Sequence, residues 1–296
     1  MISKKHRLLI TNAHVADIDH DVEGQMVAVQ NGTAQFYNVE KIWYHPGVRR
    51  FVKGVSGISV RSSDPDEGDI DTRSPDLAIL QLGPDGPDLE AEFTPVGTDE
   101  LSALFAQPVA IMGYPGSDND DLPKDGGTAA ATFHAGVISR ITDFQLGTGA
   151  TPHDQLFIQY TMATWGGFSG SPIFLPDGRV AAVHNSSRPK EDRVKEVRLI
   201  AHGVRIDCVL EMLVHHGLEP LLSFSIDKGA PAVDRWVDPD PRTEAARALL
   251  AKADGLMKEA VEHWSKSEYA LAVGKCDEAL KVVPTYAQAF SWRAAA

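Results

Sequence analysis

Between residues 26 and 184 the chain repeats one pattern: a short run of alternating apolar and polar residues, then a turn. The runs are MVAVQ (26–30), AQFYNVEKIWY (34–44), LAILQL (77–82), PVAIMGY (108–114), LFIQYTM (156–162), SPIFL (171–175) and RVAAVH (179–184). Asn31-Gly32 and Asp177-Gly178 are typical turn pairs between them. A period of two places every second side chain on one face, which is the pattern of a half-buried strand. Many short strands with no intervening helical rhythm predict a mostly β, antiparallel sandwich or barrel rather than a parallel sheet. Asp207 precedes CVLEMLVHHG, and Gly217 closes it, so a short helix capped by Asp207 is expected there.

The texture changes after residue 227. KGAPAVDRWVDPDPRT (228–243) is rich in proline and turn formers and reads as a linker. From residue 244 the chain is Ala-rich and free of proline up to Pro284, with helical spacing. The expected domains are therefore 1–227 and 244–296, joined by that linker.

Acidic residues (41) exceed Lys plus Arg (28), for a net charge of −13. That balance argues against nucleic acid as a main partner. No apolar run approaches the roughly 20 residues that span a bilayer, so no membrane partner is expected. The two cysteines, Cys208 and Cys276, exclude a disulfide framework. The acidic segments 62–76 and 117–127 lack the calcium-loop register and read as solvated surface loops. His215 and His216 are adjacent and cannot both face one ion from a helix. Neither an H-E-x-x-H pair nor a phosphate-binding glycine loop is present, so no metal and no cofactor is expected.

Three separate blocks carry the chemistry. LLITNAHV (8–15) brings a strand to an end on His14, SPDLAIL (74–80) puts Asp76 at the start of another, and GGFSGSP (166–172) sets Ser169 in a glycine-rich turn. A serine hydroxyl becomes a useful nucleophile when an imidazole takes its proton. A carboxylate fixes the tautomer of that imidazole and stabilises its cation. Glycine beside the serine lets backbone N–H groups face a developing oxyanion, here those of Gly167 and Ser169.

These blocks resemble the active-site blocks of trypsin-fold (chymotrypsin-like) serine peptidases, in particular the bacterial, disulfide-free branch that includes glutamyl endopeptidases. His45-Pro46, AIMGYPG (110–116) and GVRIDCVL (203–210) add matching texture, and the resemblance covers residues 1–225. It implies two antiparallel six-stranded β-barrels with the site in the cleft between them. It also implies His14 as general base and acid, Asp76 as its orienter and Ser169 as nucleophile. Phe168 departs from the family, which usually has Asp or Asn there. Animal members pair that Asp with a new amino terminus, so no such activation switch is expected here. Met1 falls almost inside the histidine block, so the first strand of the barrel is expected upstream.

The resemblance places a specificity pocket beside Ser169. Glutamyl endopeptidases carry Thr or Ser five residues before the nucleophile and His fifteen after it, and Thr164 and His184 match both spacings. An imidazole and a hydroxyl together suit a substrate carboxylate. Glu or Asp on the acyl side of the cut is one expectation, and a small or apolar residue is the alternative. Asn185 to Ser187 would offer backbone to an extended peptide by strand addition, making Asn185 and Ser187 substrate-binding candidates. The expected partner is thus a protein or peptide substrate.

In segment 253–286, Ala260, Ala272 and Ala279 stand where two helices must approach, with Leu256, Tyr269 and Leu280 to fill the core. This hairpin resembles a tetratricopeptide repeat, with AQAFSWRA opening a second unit. Such repeats imply recruitment of a partner or substrate. The chain ends inside that helix, so more repeat is expected beyond it. Two functions stay open: an active serine endopeptidase with a helical appendage, or an inactive protease fold serving as a scaffold. A chaperone-protease of the Deg type would instead carry a PDZ domain after the protease. A cytoplasmic location is expected, although an upstream segment would be able to hold a signal peptide.

Overall fold

The computed structural model describes residues 2–17, 26–29, 36–51, 59–61, 68–86, 92–114, 131–144, 155–190, 198–226, 244–283, 289 and 292–293. The linker, residues 62–67 of the first acidic segment and all of the second, 117–127, lie outside them. By contacts the chain forms two compact units, Met1–Val48 with Thr72–Arg235, and Arg49–Asp71 with Trp236–Ala296.

The first unit holds a closed barrel and an open sheet. The barrel runs β10-β11-β12-β9-β8-β7, from β7 (Pro108–Gly113), β8 (Thr132–Thr142), β9 (Phe157–Tyr160), β10 (Pro172–Phe174), β11 (Val180–Lys190) and β12 (Arg198–Arg205). Every neighbouring pair is antiparallel. Its interior is apolar: Ile111, Ile138, Ile158, Ile173, Val183 and Val204 are all essentially sealed from solvent. Burying each such side chain stabilises the fold by about 1.5–3 kcal/mol.

The open sheet is ordered β1-β6-β3-β2, from β1 (Leu8–Thr11), β2 (Val27–Val29), β3 (Phe36–Tyr44) and β6 (Ala78–Leu82). The expected second six-stranded barrel is therefore four strands of open sheet among the described residues. Among the described residues β1 occupies one edge, and Ser3 makes a bridge back to Leu8. Strand β6 is central, and Leu77, Ala78 and Ile79 are fully buried.

After β12 comes helix α2 (Ile206–His215), preceded by Arg205 rather than capped by Asp207. The Asp207 carboxylate is committed to the Arg205 guanidinium at 2.6 and 2.9 Å, so it is not available to cap. Gly217 ends the helix at φ 64°, with the Leu218 N–H bonded back to the Leu213 carbonyl.

In the second unit, β4 (Arg49–Phe51) pairs with β5 (Ser59–Arg61). Helices α3 (Glu244–Ser265) and α4 (Tyr269–Val282) form a hairpin. Ala253, Met257, Ala260, Cys276, Ala279 and Ala289 make its core, with Leu256, Leu280 and Trp292 packed against it. Tyr269, expected in that core, is half-exposed and stands edge-on to Trp264 at 5.0 Å. Among the described residues, no helix is long and apolar enough to cross a membrane.

Candidate active site

Strand β1 stops at Thr11, and the chain turns at Asn12 into a four-residue helical segment, α1 (Ala13–Ala16), which carries His14. His14 thus follows the strand end by three residues rather than occupying it. Asp76 stands two residues before β6, fully buried in a tight turn in which its N–H meets the Ser74 carbonyl at 2.7 Å. Because β1 and β6 pair side by side, Thr11 facing Ala78, both segments leave the sheet at the same end.

The carboxylate of Asp76 grips His14 twice. Oδ1 accepts the backbone N–H of His14 at 2.9 Å, and Oδ2 accepts ring Nδ1–H at 2.6 Å. A hydrogen bond at Nδ1 leaves the lone pair of the neutral ring on Nε2. The His14 side chain is 28% exposed while that of Asp76 is sealed. One nitrogen is therefore held inside and the other edge of the ring reaches outward. Two amides support the pair. Asn12 Nδ2 donates to the Asp76 carbonyl at 2.9 Å, and Asn185 Nδ2 donates to Asp76 Oδ2 at 3.2 Å and to the Thr72 carbonyl at 3.1 Å.

Ser169 lies in a turn between the barrel and β1. Gly167 and Gly170 take φ values of 95° and 83°, which side chains with a Cβ rarely adopt. The Gly170 N–H donates to the His184 carbonyl at 3.0 Å, and the Ser171 N–H donates to the Phe168 carbonyl at 3.0 Å. A Cβ on Gly170 would lie 2.5 Å from Thr11 Oγ1, so this glycine lets the serine turn sit directly on the end of β1. Among the described residues, the N–H groups of Gly167 and Ser169 donate to no backbone carbonyl. No hydrogen bond joins Ser169 to His14 among them. Serine–histidine contacts in enzymes often tighten only in the substrate complex.

The proposed pocket residues are placed differently from one another. Thr164 and His184 are both buried. His184 Nδ1 meets the hydroxyl of buried Tyr160, and that hydroxyl also donates to the His202 carbonyl at 3.3 Å. Burial foremost, then the positive potential of His14 and His202, pushes the His184 pKa down to about 3. Burial likewise raises the Tyr160 phenol well above its ordinary range. At neutral pH both groups are uncharged. Asn185, whose backbone is the expected peptide contact, turns its side chain inward onto Asp76. Its amide is drawn to a buried carboxylate that needs donors. Ser187 lies in β11, and its side chain is outside the described residues. Asn12, Asn185 and Tyr160 as supporting groups escape sequence reasoning, because their partners are 24 to 113 residues away.

A family model for the trypsin-like peptidase domain matches residues 1–183. The chain belongs to the trypsin-like peptidase family. A search of curated proteins found no match. Several solved structures are similar to this trypsin-like peptidase. One is Glu endopeptidase in complex with MPD, at 15% identity and TM-score 0.45, covering 74% of this chain and 83% of that one. Another is the active form of the Rv3671c protease from M. tuberculosis, at 16% identity and TM-score 0.43, covering 78% and 75%. The inactive form of the Rv3671c protease gives 18% identity and TM-score 0.42, covering 71% and 79%.

Proposed function

We propose that the chain is a serine endopeptidase acting through His14, Asp76 and Ser169. The observation that carries this reading is the double grip of Asp76 on His14, with the Ser169 turn seated against Thr11 at the same strand end. In the proposed cycle, Ser169 Oγ attacks the scissile carbonyl carbon while its proton passes to His14 Nε2. Asp76, bonded to Nδ1–H, stabilises the resulting imidazolium. The oxyanion takes hydrogen bonds from the N–H groups of Gly167 and Ser169. Collapse breaks the C–N bond, and His14 gives its proton to the leaving amine. Water then enters by the same route in reverse roles and releases the acyl group. Every proton in this scheme is carried by residues of the chain, so it calls on no metal and no cofactor.

The finer reading is a preference for Glu or Asp on the acyl side, through Thr164 and His184. A neutral His184 would serve as a hydrogen-bonding group there rather than as a counter-charge. The backbone of 185–187 would pair with an extended substrate, and the α3–α4 hairpin, read as a tetratricopeptide-like unit, would recruit partners. Two buried thiols, Cys208 and Cys276, suit a cytoplasmic setting. The test is a fluorophosphonate probe with intact-mass readout on the parent and on Ser169→Ala. One adduct on the parent and none on the variant supports the reading. No adduct on a folded parent overturns it in favour of an inactive scaffold.

A further inference from the structure

The residue between the two oxyanion donors is Phe168, and its ring is fully buried. Three other rings meet it edge to face. Trp165 lies at 5.3 Å and 80°, His134 at 5.6 Å and 70°, and His184 at 6.4 Å and 83°. His134 and Trp165 also meet each other at 5.5 Å and 80°. These are the tilted geometries that ring quadrupoles favour. The ring partners come from β8, β11 and the serine turn itself, and β7 closes the remaining side. A Cβ on Gly113 of β7 would lie 2.7 Å from Phe168 Cδ1, so only glycine leaves room for the ring.

The backbone of Phe168 is fixed as firmly. Its N–H donates to the Trp165 carbonyl at 3.2 Å and its carbonyl accepts from the Ser171 N–H at 3.0 Å. The Ser169 N–H belongs to the peptide plane that starts at Phe168. The Gly167 N–H is one residue upstream, behind a glycine free to rotate at φ 95°. A ring clamped from four sides therefore sets the direction of the Ser169 N–H and anchors the residue against which the Gly167 turn closes.

We infer that Phe168 is a positioning residue, an aromatic bolt that holds the Gly167–Ser169 turn ready to receive an oxyanion. This inference rests on the serine peptidase reading. A displacement of about 1 Å at such a site costs on the order of 10²-fold in rate, and loss of one oxyanion donor costs about 10²–10³-fold in kcat.

The test compares the full chain with Phe168→Leu, which stays apolar but loses the ring edges, and with Trp165→Leu. Trp165 is 38% exposed, so its removal leaves the core filled and keeps the test decisive where Phe168→Leu does not fold. Hydrogen exchange is read by mass spectrometry over residues 164–172. Peptide hydrolysis is read as separate kcat and KM values. The bolt predicts at least about tenfold faster exchange of the bonded amides of Phe168, Gly170 and Ser171, with β11 and β12 unchanged. It predicts kcat lower by about 10²-fold in Phe168→Leu with KM nearly constant, and a smaller loss of the same kind in Trp165→Leu. Unchanged exchange in that segment overturns the inference, as does a rate loss expressed wholly in KM. Fluorophosphonate labelling of the parent separates the two claims. A parent that does not label ends the peptidase reading, while the exchange data still decide whether the ring orders the turn.

Discussion

Replacing Asn185 with alanine tests whether the buried amide on β11 serves the His14–Asp76 pair rather than a substrate. The side chain is 1% exposed and spends one N–H on the Thr72 carbonyl and the other on Asp76 Oδ2. A neutral hydrogen bond contributes about 1 kcal/mol, and one to a charged group about 1.5–3 kcal/mol. At 3.2 Å the bond to Asp76 belongs at the lower end of that range. Asp76 Oδ2 keeps the His14 ring at 2.6 Å, so the carboxylate is weakened rather than abandoned. The sum is a loss of about 2–3 kcal/mol. It would be measured as a lower urea midpoint at constant slope, on a Ser169→Ala background that prevents self-cleavage. On the active background, kcat should fall about tenfold as the imidazole loses its fixed orientation, with KM little changed. A stability loss below about 1 kcal/mol, or an effect confined to KM, would refute the assignment and return Asn185 to the substrate.

The pH response follows from His184. Its folded pKa of about 3 lies below the ordinary value of 6.5, so between those limits the unfolded chain binds a proton that the native ring refuses. Its contribution to stability is complete above pH 6.5 and declines toward pH 3, by up to about 1.4 kcal/mol per unit. His184→Gln should flatten the urea midpoint over that window, and a slope equal to the parent's would count against it. For the same reason any preference for Glu over Gln should stay flat from pH 5 to 9. A preference that strengthens below pH 6 in a peptide library would restore a charged His184. Gly170→Ala forces a Cβ to 2.5 Å from Thr11 Oγ1 at a φ of +83°, and should reduce kcat/KM by on the order of 10²-fold, read on the same peptide substrate. Asp207→Ala leaves the buried Arg205 guanidinium its bond to the Gln155 carbonyl but removes its carboxylate partner, now at 2.6 and 2.9 Å. Thermal or urea unfolding should register a loss of about 3–5 kcal/mol.

What a sequence reveals here depends on how far apart the interacting groups stand. Alternation is local, so the runs that became β3, β6, β7, β10 and β11 are visible without any partner. Closure is not local. Which strand β1 lies beside is decided by pairings such as Leu8 with Gln81, which nothing within β1 announces. The cap at α2 shows a different limit, a local competition between two partners. Asp207 has the right side chain for capping, but Arg205 is two residues away and a charge pair outcompetes a backbone amide. The site divides along this line too. His14, Asp76 and Ser169 are legible because each sits in a local block whose glycines and strand ends have a chemical reason. Asn185 is expected to offer its backbone to a peptide, and nothing near it in sequence announces where its side chain goes. Its actual partner, Asp76, lies 109 residues earlier. The position of Phe168 beside Ser169 is obvious in the sequence. Its grip on the turn is not, because that grip depends on His134 and His184 arriving from two separate strands. Reactive atoms are thus announced by their own residue types, while the groups that aim them are chosen by topology. That asymmetry is why the most informative substitutions here, at Asn185 and Phe168, are at residues that never touch the scissile bond in the proposed cycle.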